Sequence, residues 1–260
     1  MTDRPVLDVP TPPGGWGAPW PNVAEIASAF PCDRWSLVGG LMAQLHGAHR
    51  GVDAVRPTDD VDIVPHVETT RRLPTAAART LEGLGYQLLD PVDPRRPTAH
   101  RFRRGKQTVD LVAAGDDVVD VLVADHTAPR VVRLLRGRRL VAIEGGTQAL
   151  RRTVLARLAI LDDAPTTIST PSVFGALALK AAAYRADSRN PARHLQDAAV
   201  LLACLDDPYE AVAHYAGSDR SRVLTLRRAL PDDAPQWRAL GAGHAREGQA
   251  ALRVLANACS

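Results

Sequence analysis

Between Arg56 and Val64 acidic and apolar residues alternate as Asp60, Val61, Asp62, Ile63, and this pattern constrains the chain more than any other stretch. Successive side chains of a β-strand point to opposite faces. Val61 and Ile63 therefore enter a core together, while Asp60 and Asp62 project side by side on the other face. Strand rise sets their Cα atoms about 6.6 Å apart. Both carboxylates then reach one hard cation, or a pair of cations about 3.5–4 Å apart. Without a cation, each carboxylate raises the other's pKa. A solvent-facing strand with two ordinary surface acids has the same pattern, and Asp-x-Asp alone does not separate the two readings.

Upstream, Trp35 to Gly40 reads as a short buried strand ending in two glycines. Leu41 to Gly47 follows with helical spacing at Leu41 and Leu45, and Gly47 is the expected C-cap. Such a junction brings backbone N–H groups and a helix N-terminus toward a phosphate, although a plain tight turn needs the same glycines. Downstream, a helix is expected over Thr69 to Gly85, a short strand over Tyr86 to Leu89 and a loop over Pro91 to Pro97. Ala99–Arg103, Thr108–Ala113 and Val118–Ala124 are strand candidates forming an antiparallel meander. Asp110 and Asp120 each sit in an apolar frame on one of them.

The motifs Val38-Gly39-Gly40, His46-Gly47 and Arg56-x-Thr58-x-Asp60-x-Asp62 resemble the DNA polymerase β-like nucleotidyltransferase superfamily. With Lys180-Ala-Ala-Ala-Tyr-Arg185 and Arg193-His194-x-x-Asp197, they resemble its AbiEii/MenT-like toxin group. The resemblance implies an α+β fold: a nucleotidyltransferase mixed-sheet domain, a C-terminal helical domain and an active site between them. It implies that Asp60 and Asp62 hold Mg²⁺, or Mn²⁺, and that Gly39, Gly40, Arg56 and Thr58 bind a nucleoside triphosphate. Lys180 and Asp197 would belong to the active site, with Arg185 and Arg193 as further phosphate contacts. A third carboxylate on a neighbouring strand would be Asp110 or Asp120; both are eligible, and some members of the group lack a clear one. The implied acceptor is an RNA, the 3′ end of tRNA, and the implied partner is a cognate antitoxin.

Lys180 shares a helical face with Val173, Leu177 and Tyr184, which suits either a lysine aimed at phosphates or a packed stem with its amine in water. Thr170-Pro171 is the expected N-cap and first position of that helix. Arg193 and Asp197, four apart on the next helix, also suit a simple surface pair. Two further helices are expected over Ser218–Leu230 and Trp237–Asn257, the second weakened by its glycines. If Pro129 to Leu140 is helical, Arg130, Arg133 and Arg136 line one face, which tracks phosphates or is simply solvated.

Residues 1–21, rich in Pro and Gly, read as an irregular arm pinned by Trp16 and Trp20, and Asn22 is the expected N-cap of a helix to Phe30. The catalytic domain is expected over 22–165 and the helical domain over 166–260. Aromatic content of 4% disfavours a stacking platform for single strands. Three scattered cysteines, no apolar run of about 20 residues and no signal-like N-terminus lead to the expectation of a cytoplasmic protein without membrane contact. Two alternatives remain: nucleotidyl transfer to a small molecule or protein side chain, and a non-catalytic nucleotide-binding regulatory module.

Overall fold

The computed structural model describes residues 4–52, 56–66, 72–90, 101–105, 117–124, 134–135, 138–161 and 164–259. Along the chain these form β1 (Val6–Val9), α1 (Trp20–Ala29), β2 (Trp35–Val38), α2 (Gly39–Arg50), β3 (Asp60–Pro65), α3 (Leu73–Gly83), β4 (Gln87–Leu88), β5 (Arg101–Arg104) and β6 (Asp117–Ala124). They continue as β7 (Leu134–Leu135), β8 (Arg138–Arg139), β9 (Val141–Ile143), α4 (Gly146–Leu150), β10 (Thr153–Leu161) and β11 (Ala164–Pro171). Six helices follow: α5 (Val173–Ala186), α6 (Ala192–Ala203), α7 (Pro208–Ala213), α8 (Asp219–Ala229), α9 (Pro235–Arg238) and α10 (Ala242–Asn257).

The fold is α+β with mixed sheets. The largest runs β2-β3-β6-β5-β4, with β9 also paired to β6. β3 pairs antiparallel with β2 and parallel with β6, and β5 pairs antiparallel with β6. The alternation in β3 behaves as its period requires: Val61 and Ile63 are fully buried, while Asp60 and Asp62 face the other way and stay partly open. Each of those two apolar side chains contributes about 1.5–3 kcal/mol by leaving water.

Two hydrophobic clusters meet at α2. Leu41 and Leu45 join Val23, Ile26, Val61, Ile63, Val119 and Leu81 in one. Met42 and Ala43 join Leu122 and the inward faces of α5, α6, α8 and α10 in the other. The helix is therefore apolar on two sides, and its N-terminus is held between the sheet and the helical part. Among the described residues no helix is long and apolar enough to cross a membrane.

Several local expectations are corrected. The arm is not wholly irregular, because β1 pairs in parallel with β10; Trp16 and Trp20 do meet, at 4.7 Å between ring centroids. Asn22 is no N-cap. Pro21 opens α1 in its first turn, and the Asn22 amide is buried, donating to the Tyr86 hydroxyl at 2.8 Å. Helix α2 runs past Gly47 to Gly51, whose φ of 72° provides the left-handed cap. Ser172 caps α5 through the Gly175 N–H, because Thr170 and Pro171 are still paired to β10. Leu134–Leu135 and Arg138–Arg139 pair as a hairpin, so Pro129–Leu140 is not one helix. Arg130, Arg133 and Arg136, the strand expected over Thr108–Ala113 and the loop at Pro91–Pro97 lie outside the described residues.

Candidate active site

Strand pairing sets four positions in one row across the sheet. Val38 of β2 is opposite Asp62 of β3, Asp62 is opposite Asp120 of β6, and Asp120 is opposite Arg101 of β5. Residues directly opposite share a face, so two carboxylates and a guanidinium are lined up in order. Asp60, two residues before Asp62, joins them on that face.

Arg101 grips Asp120 with both edges of its fork: Nε to Oδ1 at 2.9 Å and Nη2 to Oδ2 at 2.8 Å. The same Nη2 lies 3.7 Å from Asp60 Oδ2. Asp62 is left at the other end, and among the described residues no hydrogen bond or ion pair engages its carboxylate. Desolvation, then the neighbouring Asp120 charge, push its pKa up to about 7, with Lys180 pulling the other way. Asp60 is also raised, by burial first, with Arg101 opposing.

Gly39 closes the row. Its φ is +75°, and a Cβ on it would lie 1.9 Å from Asp62 Oδ2, so the carboxylate lies against bare backbone. The chain turns there into α2, whose first N–H groups carry no side-chain cap. They are free to meet an anion. Gly40 has the companion role: a Cβ there would press on Thr58 and on Arg56 Nη2 at about 3 Å.

Lys180 approaches from α5. It is 4% exposed, and its Nζ donates to Asp197 Oδ2 of α6 at 2.6 Å. Arg56 Nε adds a second cation 3.6 Å from Asp197 Oδ1. An ammonium this buried needs such a partner, because an unpaired one would deprotonate or unfold the site. The simple surface pair that the spacing of Arg193 and Asp197 also suits does not form, and Asp197 is buried. Arg193 binds Asp187 at 3.0 Å instead.

Gly39, Asp62, Asp120, Lys180, Arg193 and His194 all line one cavity of about 380 Å³, walled on its apolar side by Met42, Leu122, Ile143 and Leu179. Asp60 stands beside Arg101, Asp197 lies behind Lys180, and Gly40, Arg56 and Thr58 cluster at the start of α2. Arg185 does not line the cavity. Asp110 lies outside the described residues, whereas Asp120 is the register partner of Asp62.

Arg101 and His194 are side chains at the site whose roles the motifs did not assign. Arg101 is visible only once β5 is in register with Asp120. His194 Nε2 lies 3.1 Å from Asp187 Oδ2, and its pKa is lowered by burial and by Lys180. Asp187 is held below the usual carboxylate range by the backbone N–H groups of Asn190 and Arg189.

Among the described residues no group of three or more His, Cys, Asp or Glu side chains is arranged to hold a metal ion. Asp120 is committed to Arg101. Asp60 and Asp62 nevertheless suit a divalent cation, because both resist ionisation at present and a cation would relieve that. Comparisons with protein-family models, curated proteins and solved structures find no match for this chain.

Proposed function

We propose that this chain is a nucleotidyltransferase. It would move a nucleoside monophosphate from a nucleoside triphosphate to an acceptor hydroxyl. The observation that carries the reading is the single cavity lined together by Asp62 of β3, Asp120 of β6, the buried Lys180 and Gly39 at the N-terminus of α2.

In this reading the triphosphate lies against the α2 N–H groups at Gly39, where backbone donors and helix dipole favour negative charge. The acceptor hydroxyl releases its proton to solvent and its oxygen forms a bond to the α-phosphorus as the bond to the bridging oxygen breaks and pyrophosphate leaves. The Lys180 ammonium supplies positive charge for that leaving group in a largely water-free setting, where such a contact is worth most. Asp197 orients Lys180. Asp60 and Asp62 would hold Mg²⁺ or Mn²⁺, which when bound supplies positive charge that neutralises the phosphates and acidifies the acceptor hydroxyl. Arg193, at the cavity wall and paired with Asp187, would contact an outer phosphate.

The motif likeness around Lys180 and Asp197 supports the toxin-group version, with the 3′ end of tRNA as acceptor, a cognate antitoxin as partner and a domain division near residue 165. Incubation with labelled nucleoside triphosphates, Mg²⁺ and total RNA tests the proposal. Transfer by the wild type and its loss in Asp62→Ala are expected. No transfer, or equal transfer by the variant, removes the enzyme claim.

A further inference from the structure

We propose that Arg101 is a built-in cation of this site, standing in for one divalent ion so that Asp60 and Asp62 bind a single metal ion. The inference rests on the nucleotidyltransferase reading and goes beyond it to the metal stoichiometry.

Geometry is the first support. Arg101 is opposite Asp120 across the β5–β6 pair, in the row that contains Asp62. Its planar fork meets both oxygens of Asp120 and reaches toward Asp60. A guanidinium keeps its charge at any working pH and meets both oxygens of a carboxylate with two parallel N–H donors.

Burial is the second. The Asp120 side chain is 9% exposed, so displacing Arg101 would leave an enclosed carboxylate to be recharged by something else. Charge balance is the third. The three carboxylates and one guanidinium leave two negative charges, which one divalent ion neutralises. Lys180 and Arg56 exceed Asp197 by one positive charge, which in the nucleotidyltransferase reading meets the triphosphate and not the metal ion.

A bland alternative is that Arg101 merely clips β5 to β6. The two roles separate in Mn²⁺ binding to the metal-free full chain, followed by electron paramagnetic resonance of the free ion. One Mn²⁺ is expected for the wild type. Arg101→Gln should bind two, or bind one at least tenfold tighter. Arg101→Lys, which keeps the charge, should stay at one with near wild-type affinity.

Circular dichroism shows whether Arg101→Gln is folded. If it is folded and unchanged in both stoichiometry and affinity, the inference is overturned. If it fails to fold, the wild type and Arg101→Lys decide: one ion on each supports the inference, and any other count overturns it. Calorimetry with a non-hydrolysable triphosphate in the same buffer checks the underlying reading. Zero or two Mn²⁺ on a wild type that still binds triphosphate overturns this inference alone, and loss of triphosphate binding as well removes both.

Discussion

Asp62 makes the metal-free fold less stable as pH rises, which Asp62→Asn should abolish. The folded carboxyl titrates near 7 against an ordinary value of 3.8. Between those values the folded chain holds a proton that the unfolded chain has released, so stability falls from about pH 4 to about pH 7 and is level above. A shift of about 3 units at about 1.4 kcal/mol each corresponds to about 4 kcal/mol at full effect. His46 works in the opposite sense. It is buried against the Pro171 carbonyl at 2.8 Å, and burial pulls its pKa down to about 4, so stability there rises with pH from about 4 to 6.5. That contribution is common to wild type and variant and cancels in their difference. Urea unfolding in chelator from pH 4.5 to 8.5 should show Asp62→Asn gaining on the wild type with rising pH. Saturating Mg²⁺ at pH 8 should then stabilise the wild type, by about 2.7 kcal/mol at a hundredfold excess over its Kd, and leave Asp62→Asn unmoved. Parallel pH curves within about 1 kcal/mol would refute the desolvation of the Asp62 carboxylate.

Gly39→Ala should lower the melting temperature and reduce nucleotidyl transfer to the level of Asp62→Ala, because the new Cβ would lie 1.9 Å from Asp62 Oδ2 on backbone already at φ +75°. Transfer at near wild-type rate in Gly39→Ala would show that the carboxylate position is not required. Lys180→Met should cost about 3 kcal/mol or more in urea unfolding, since Asp197 would keep only Arg56 at 3.6 Å among the described residues. Adding Asp197→Leu should recover much of that stability while triphosphate binding, read by calorimetry, stays absent. Binding restored in the double variant would make the pair purely structural.

The parts of the site legible in the sequence are those set by short-range periodicity. Alternation alone places Asp60 and Asp62 on one face of β3, and two glycines after an apolar strand mark the turn into α2. Lys180 and Asp197 stood out as charges on apolar helical faces, and both are buried. Asp120 could not be chosen over Asp110, because which acid stands beside Asp62 depends on the parallel pairing of strands nearly 60 residues apart. Arg101 was hidden for the same reason. The β10–β11 hairpin was missed although Val154, Ala156 and Leu158 alternate inward and Thr166, Thr167 and Thr170 favour strand. The split of the last helix at Gly241 was closer to hand, since glycine before Ala242 weakens any continuous helix.

Among the described residues the buried carboxylates are balanced in a uniform way, and the partly open Asp62 stands apart from them. Asp120 is matched by Arg101, Asp197 by Lys180 and Arg56, and Asp219 by Arg152 at 2.6 Å. Each pairing offsets the cost of taking a charge from water, as a folded chain must unless the group gives up its charge. Asp62 breaks the pattern. It has a like charge as its register partner, bare glycine backbone against its oxygen, and among the described residues no ion pair of its own. A purely structural role would be filled as well by asparagine, which fits the same space without the repulsion. Keeping a carboxylate there is physically economical only if a cation arrives from solution, and the cavity in front of it provides the route.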